Sequence, residues 1–346
     1  MWIRTVHFYF EIVLFCMTWM VGSLVIYLSM FRCRDVLKDY RNMLTFTAVV
    51  DMVFVLNSVF TMETFYVYEG VLYYYSDNPL YPKGQFAAYW SGAMFSFFVL
   101  FSIIITVIQF MYRYGLLCRP EAYTKLQIGG AFACFTVYIV IHHYFFWWTF
   151  NPPNAEYNDI LRRHGQSLEW YIVADLRSVN WVWLHFMSFQ MVVSVSYTFN
   201  ILFGVKIIQF LKAKASSMSE KTLRAQKQIT YVLFIQALCP LMDTVIPASF
   251  VCLNVIIARN AGLAETAILA SMAMNIIPFC NSLVVILVIP KYRQLVWKML
   301  RHPLTHASVD ATHTGSVAIS DSQDKRSTSK VGGRSSIMVS AGASAH

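Results

Sequence analysis

The stretch Phe98-Val-Leu-Phe-Ser-Ile-Ile-Ile-Thr-Val-Ile-Gln109-Phe-Met-Tyr112-Arg113-Tyr114-Gly-Leu-Leu-Cys-Arg119-Pro120 decides the fold of this chain. A mostly apolar run of bilayer-crossing length ends abruptly in Tyr-Arg-Tyr. A charge that closes such a run sits where one membrane face meets water. Every other segment is placed relative to that boundary.

The whole composition agrees with a membrane setting. Over 346 residues, 57% are hydrophobic and 13% charged, with a mean hydropathy of +0.51, which is too apolar for a soluble domain of that length. A span needs about 20 mostly apolar residues at about 1.5 Å rise each. Runs of that kind fall at about 8–30, 42–65, 88–111, 128–150, 180–205, 229–256 and 265–289. The predicted fold class is therefore all-α, a polytopic seven-transmembrane helix bundle. The first run is already of spanning length and lacks a small-residue cleavage site, so it reads as a signal anchor.

Lys and Arg set the expected orientation. Seventeen of them, Arg32, Arg34, Lys38 and Arg41, then Arg113, Arg119 and Lys125, then Lys206 to Lys227, then Lys291 to Arg301, fall on one side. The other side carries six: Arg4, Lys83, Arg162, Arg163, Arg177 and Arg259. The positive-inside rule puts the amino terminus outside and the carboxyl terminus in the cytosol. The net charge of +9 then needs no nucleic acid to explain it. Cys16, Cys134, Cys239 and Cys280 lie inside spans, Cys33 and Cys118 face the cytosol, and Cys252 lies near the outer end of span six. No extracellular disulfide is expected from that distribution, and no Cys/His cluster has metal-ligand spacing.

Polar residues inside spans are the candidates for function, because a charge there is costly and faces the bundle, a partner or water. Glu11 reads as an interfacial carboxylate near the outer end of span one. Asp51 is nine residues beyond Asn42 and so roughly 14 Å deep; it reads as a tie between spans two and seven, as a switch residue, or as both. The segment Tyr66 to Ala87 reads as a tyrosine-rich loop with turns at Asn78-Pro79 and Pro82, its rings an aromatic belt. His142-His143 and the following Trp147-Trp148 read as interfacial packing, since adjacent residues point to different helix faces. The polar segment Asn151 to Val179 is the longest outer loop and can fold over the mouth of the bundle.

Span five holds Trp181, Trp183, His185 and Gln190 in its outer half. In span six come Gln236, Pro240, Asp243 and Pro247, whose two prolines remove backbone hydrogen bonds and make a hinge. Span seven holds Asn275, Pro278 and Asn281. After Pro290, the alternation of basic residues with Tyr292, Leu295, Val296, Trp297 and Leu300 suits an amphipathic helix at about 291–301 lying on the inner leaflet. Residues 1–301 thus form the predicted seven-transmembrane domain. The tail, 302–346, is rich in Ser, Thr, Gly and Ala and reads as disordered, with Ser327-Thr328-Ser329 and Ser335-Ser336 open to phosphorylation.

Gln109-Phe-Met-Tyr112-Arg113-Tyr114, Lys221-Thr222 with Gln226, Gln228, Gln236 and Pro240, then Pro278 and the closing Tyr292-Arg293, resemble the nematode serpentine chemoreceptors of the Str superfamily, with the Str, Srd and Srh classes the nearest. The similarity runs from about residue 5 to 300. It implies a plasma-membrane receptor of ciliated sensory neurons, reading odorants or pheromones and signalling through a heterotrimeric G protein, with a dimer compatible. By position, Arg113 matches the arginine that contacts the G protein or locks the resting state; Tyr112, Tyr114, Lys221, Asp51, Pro240 and Asn281 complete the expected coupling and switch set. Asn281-Ser282 departs from the Asn-Pro common in such receptors.

The ligand pocket expected from this reading uses Trp90, Phe97, His185, Gln190, Asp243 and Asn275. Asp243 either pairs with a cationic ligand or bonds a freed carbonyl or a histidine. No cofactor is expected, and 265–289 contains no lysine to form a retinal Schiff base. A transporter or channel would need internal repeats and a line of buried charges, and an enzyme would need a catalytic cluster; neither pattern is present.

Overall fold

The computed structural model describes residues 2–33, 40–177, 181–242 and 264–301. Asp243, Pro247, Cys252, Arg34, Lys38, Arg259 and the tail from 302, with its serine clusters, lie outside the described residues.

Helix α1 (Trp2–Tyr27) runs into a π-helical turn, Leu28–Arg32. Helix α2 (Arg41–Thr61) ends where Met62 turns left-handed at φ 43° and its N–H closes on Ser58 O, four residues short of the span expected to reach 65. Then come α3 (Gln85–Cys118), α4 (Lys125–Thr149), the short α5 (Ala155–Arg163) and α6 (Trp181–Ala213). Last are α7 (Glu220–Pro240), α8 (Ala264–Val288) and α9 (Pro290–Arg301). Caps fix several starts. Thr124 Oγ1 accepts from Gln127 N at 3.2 Å while Gln127 Oε1 accepts from Thr124 N at 3.0 Å, a reciprocal capping box. Ser219 Oγ accepts from Thr222 N at 3.2 Å to start α7, and Asn154 Oδ1 accepts from Tyr157 N at 2.8 Å to start α5.

Six helical stretches among the described residues are long and apolar enough to cross a bilayer: Trp2–Arg32, Arg41–Thr61, Gln85–Cys118, Lys125–Thr149, Trp181–Ala213 and Ala267–Val288. The remaining expected span, 229–256, is described only to residue 242. Helix α3 is the axis of the bundle. It packs on α2, α4, α6, α7 and the strands, with 67% of its central window buried against 11% for α4. Most of α4 is consequently left facing outward.

The bundle is all-helical as expected, but one end carries a three-stranded antiparallel sheet, β1 (Glu63–Tyr68), β2 (Val71–Ser76) and β3 (Ile172–Asp175), in that order. This corrects the reading of residues 66–87 as a loop. Tyr68 pairs with Val71 across a two-residue turn in which Glu69 and Gly70 both have positive φ, 51° and 80°, the backbone sense that matches strand twist. Strand β2 then pairs with β3, Tyr74 opposite Ile172 and Val71 opposite Asp175. Side chains alternate across the sheet. Phe65, Val67, Leu72, Ile172 and Ala174 join the bundle core with Phe95, Phe146 and Val182. Tyr66, Tyr68, Val71, Tyr73 and Val173 pack on the other face with Tyr157, Ile160 and Leu161, three of which belong to α5. The sheet is a buried layer between the helices and α5, so its tyrosines are core residues and not a belt.

Candidate functional site

Buried polar chemistry gathers at two places, the sheet end of the bundle and the Arg113 end. At the sheet end, α1 brings in Arg4, His7 and Glu11. Asp77, just beyond β2, receives Arg4 Nε at 2.6 Å and Thr64 Oγ1 at 2.8 Å, with His7 Nδ1 at 3.6 Å. Thr64 Oγ1 also lies 3.2 Å from His7 Nδ1. On its other side, His7 Nε2 is 3.3 Å from Glu11 Oε1, which accepts Asn275 Nδ2 at 2.7 Å, and Asn275 Oδ1 accepts Ser58 Oγ at 3.0 Å. One polar chain therefore links α1, the β1–β2 hairpin, α2 and α8. Burial alone would push the Asp77 carboxyl up, but His7, Arg4 and Thr64 together hold it below the usual carboxylate range.

Glu63, the first residue of β1, is fully buried and points with Phe65 into the bundle. Its carboxylate lies against α3 beside Ser91, where a Cβ on Gly92 would come within 3.5 Å of Oε1. Burial pushes its pKa up to about 8; Ser91 and His7 oppose the rise and Asp77 adds to it. A carboxyl whose folded pKa is raised binds its proton longer when folded, so its stabilising protonation is complete below the ordinary value near 4.5 and is lost as pH rises toward 8. Glu63→Gln is expected to flatten the fall in thermal midpoint between about pH 5 and 8. Thermal unfolding of the purified chain at several pH values checks this; a slope unchanged by the substitution would refute it.

At the opposite end, Arg113 of α3 is 3% exposed. Its Nη2 donates to the backbone oxygen of Gln226 on α7 at 3.0 Å and to the Gln226 side-chain oxygen. Its guanidinium also lies 5.9 Å from the Tyr40 ring centre, and Tyr40 stacks on Tyr112 at 6.4 Å. Tyr114 faces α6, where its ring meets Phe203 at 5.4 Å and Lys206 at 5.5 Å. Helices α6 and α7 approach closely here: a Cβ on Gly204 would lie 2.6 Å from Phe234 Cζ.

Between the two ends runs a second chain of contacts. Asn281 Nδ2 donates to Asp51 Oδ1 at 3.1 Å, and Gln236 Nε2 donates to Asn281 O at 3.0 Å, joining α2, α8 and α7. Pro240 closes α7, and the Leu241 N–H reaches back to Leu238 O. Tyr197 of α6 then supplies a hydroxyl to Ala237 O at 2.9 Å, so a carbonyl in the proline-disturbed turn is satisfied from the neighbouring helix.

Among the described residues, the five expected pocket residues Trp90, Phe97, His185, Gln190 and Asn275 do not line one cavity. Trp90 is 50% exposed and stacks on Phe86 at 6.3 Å, because the core face of α3 is carried by Tyr89, Gly92, Phe95 and Val99. Gln190 is exposed for the same reason on α6, whose buried face runs through His185, Val192, Val193 and Ser196. Neither side chain faces the bundle core. Phe97 stacks on Phe101 at 5.5 Å and meets His143 at 5.8 Å, toward α4. His185 stacks on His142 at 4.1 Å, Asn275 sits in the sheet-end chain, and Asp243 lies outside the described residues. In the coupling set, Lys221 falls in the first turn of α7. Glu11, expected at the interface, is instead fully buried, because Asn275 and His7 give its carboxylate partners inside the bundle. Sequence reading passed over His7, Glu63 and Asp77. The spacing of His7 and Glu11, one helical turn apart in an apolar run, was the available sign.

A family model described as the serpentine type 7TM GPCR chemoreceptor Str matches residues 7–297. Among solved structures, the crystal structure of squid rhodopsin is similar in fold, with a TM-score of 0.57 over 90% of this chain and 90% of that one at 15% identity. No protein in the curated comparison matches the sequence.

Proposed function

The chain belongs to the Str family of serpentine seven-transmembrane G protein-coupled chemoreceptors, and from that premise we propose that it binds a small odorant or pheromone in the sheet-end half of the bundle and activates a heterotrimeric G protein at the Arg113 end. In this reading the sheet end is extracellular, the Arg113 end and the tail are cytosolic, and the receptor works in the plasma membrane of sensory cilia, alone or as a dimer. The observation that carries it is the buried Arg113, which reaches across the bundle to Gln226 on α7. A guanidinium held this way ties α7 to α3, and the Pro240 turn lets the rest of α7 move. A ligand shifts such an equilibrium only by its differential affinity for the tied and released conformers.

Gln226→Ala removes the side-chain acceptor and leaves the backbone one. Losing one charge-assisted bond of a pair is expected to raise ligand-independent G protein activation about fivefold. A nucleotide-exchange assay in cells, normalised to surface expression, measures this. Basal activity that stays at the wild-type level would show that the contact is not a restraint. Ligand-gated current without G protein dependence would overturn the receptor reading itself.

A further inference from the structure

A cavity of about 260 Å³ lies at the sheet end, between Arg4 of α1, Tyr75 of β2, Lys83 just before α3, and Leu168, Glu169 and Trp170 just before β3. Drug-sized sites run from about 300 to 1,000 Å³, so this one suits a smaller molecule. Arg4 is fixed along one edge. Its Nε donates to Asp77 Oδ1 at 2.6 Å, its Nη2 meets the same oxygen, and the guanidinium lies 5.2 Å from the centre of the buried Tyr75 ring. A guanidinium has five N–H groups, and Asp77 takes one from Nε and one from Nη2. Nη1 has no partner among the described residues, so the end-on fork of Nη1 and Nη2 stays open on a side chain that is 38% exposed. Lys83 and Glu169 line the same cavity, both exposed, and neither has a hydrogen-bond or ion-pair partner among the described residues.

These charges select the ligand. A simple anion would meet Arg4 and Lys83 but also face the Glu169 carboxylate, and a simple cation would face Arg4 and Lys83. A molecule that carries both charges meets each with its opposite. We propose that this cavity binds a small free amino acid as its zwitterion, with the carboxylate on the Arg4 fork and Lys83, the ammonium on Glu169, and the side chain against Leu168 and Trp170. A planar carboxylate matches the open fork with two parallel bonds. The inference rests on the receptor reading, which puts the ligand at the sheet end, and deepens it by naming the ligand's class.

The test uses the full-length protein in phosphatidylcholine nanodiscs, with empty nanodiscs as the blank, and reads binding by saturation-transfer difference NMR. L-leucine is the probe; N-acetyl-L-leucine lacks the ammonium and L-leucine methyl ester lacks the carboxylate. Saturable leucine binding is expected, with each analogue about fivefold weaker. Glu169→Gln is expected to weaken leucine about fivefold and to leave N-acetyl-leucine unchanged, so that the two bind alike. Lys83→Gln is expected to weaken leucine and N-acetyl-leucine but not the ester. Arg4→Lys keeps a cation for Asp77 without the fork and is expected to weaken leucine about tenfold. Each variant's thermal midpoint reports folding. Leucine binding that does not saturate, an analogue that binds as well as leucine, or folded Glu169→Gln and Lys83→Gln variants that bind it as the unsubstituted protein does would overturn the proposal. No G protein is present in this experiment, so its failure leaves the receptor reading to the nucleotide-exchange assay.

Discussion

Arg113→Ala is expected to drop ligand-stimulated G protein activation to background while surface expression stays within about twofold of wild type. The side chain is the buried cation of the Arg113 end, held by two oxygens of one residue and lying beside Tyr40. Its removal releases α7, as Gln226→Ala does. It also takes away the charge that our reading gives to the G protein contact. The two substitutions therefore separate restraint from coupling: one raises basal activity, and the other removes activity whether or not ligand is present. Arg113→Lys should keep a point charge but not the fork that meets both Gln226 oxygens, and an intermediate response is expected. If Arg113→Ala signals normally, the role given to this residue by position is wrong.

Asn275→Leu is expected to be the most damaging substitution at the sheet end, costing about 3 kcal/mol of stability. The amide serves two buried partners at once, Glu11 Oε1 at 2.7 Å and Ser58 Oγ at 3.0 Å. Leucine matches its size but leaves a buried carboxylate and a hydroxyl without their bonds, and that desolvation is no longer offset. The thermal midpoint in detergent should fall by several degrees and surface expression should drop. The double substitution with Glu11→Leu is expected to recover part of the loss, because removing both members of a buried pair costs less than removing one. His7 retains Thr64 and Asp77 in that variant. A single Asn275→Leu variant of undiminished stability whose only change is ligand potency would instead make Asn275 a ligand contact, the part the sequence reading assigned to it.

Much of the bundle was legible because membrane spans are coded locally. The run ending at Arg113 announced α3, and Pro240 stands where α7 ends. What was not legible depended on phase and on distance. Trp90 and Tyr89 are neighbours in sequence, and only the rotation of α3 decides that Tyr89 goes in and Trp90 goes out. The alternation Thr-Phe-Tyr-Val-Tyr, then Glu69-Gly70, then Val-Leu-Tyr-Tyr-Tyr was a hairpin pattern, masked by the habit of tyrosine at membrane interfaces. Glu11 was misplaced because its partner comes from Asn275, at the far end of the chain. No local pattern announces a pair so distant.

The sheet imposes an order on biosynthesis. The β1–β2 hairpin is complete once Ser76 is made, yet β2 has no second neighbour until β3 emerges, after α3, α4 and α5. During that interval the edge that will pair with residues 172–175 is open, and an open edge invites the wrong strand. Non-local pairings of this kind close late because the intervening chain must first be ordered. Translation that stalls between residues 76 and 172 therefore leaves a nascent chain with two to four spans' worth of sequence and an unroofed end, the form on which chaperones and quality control would act.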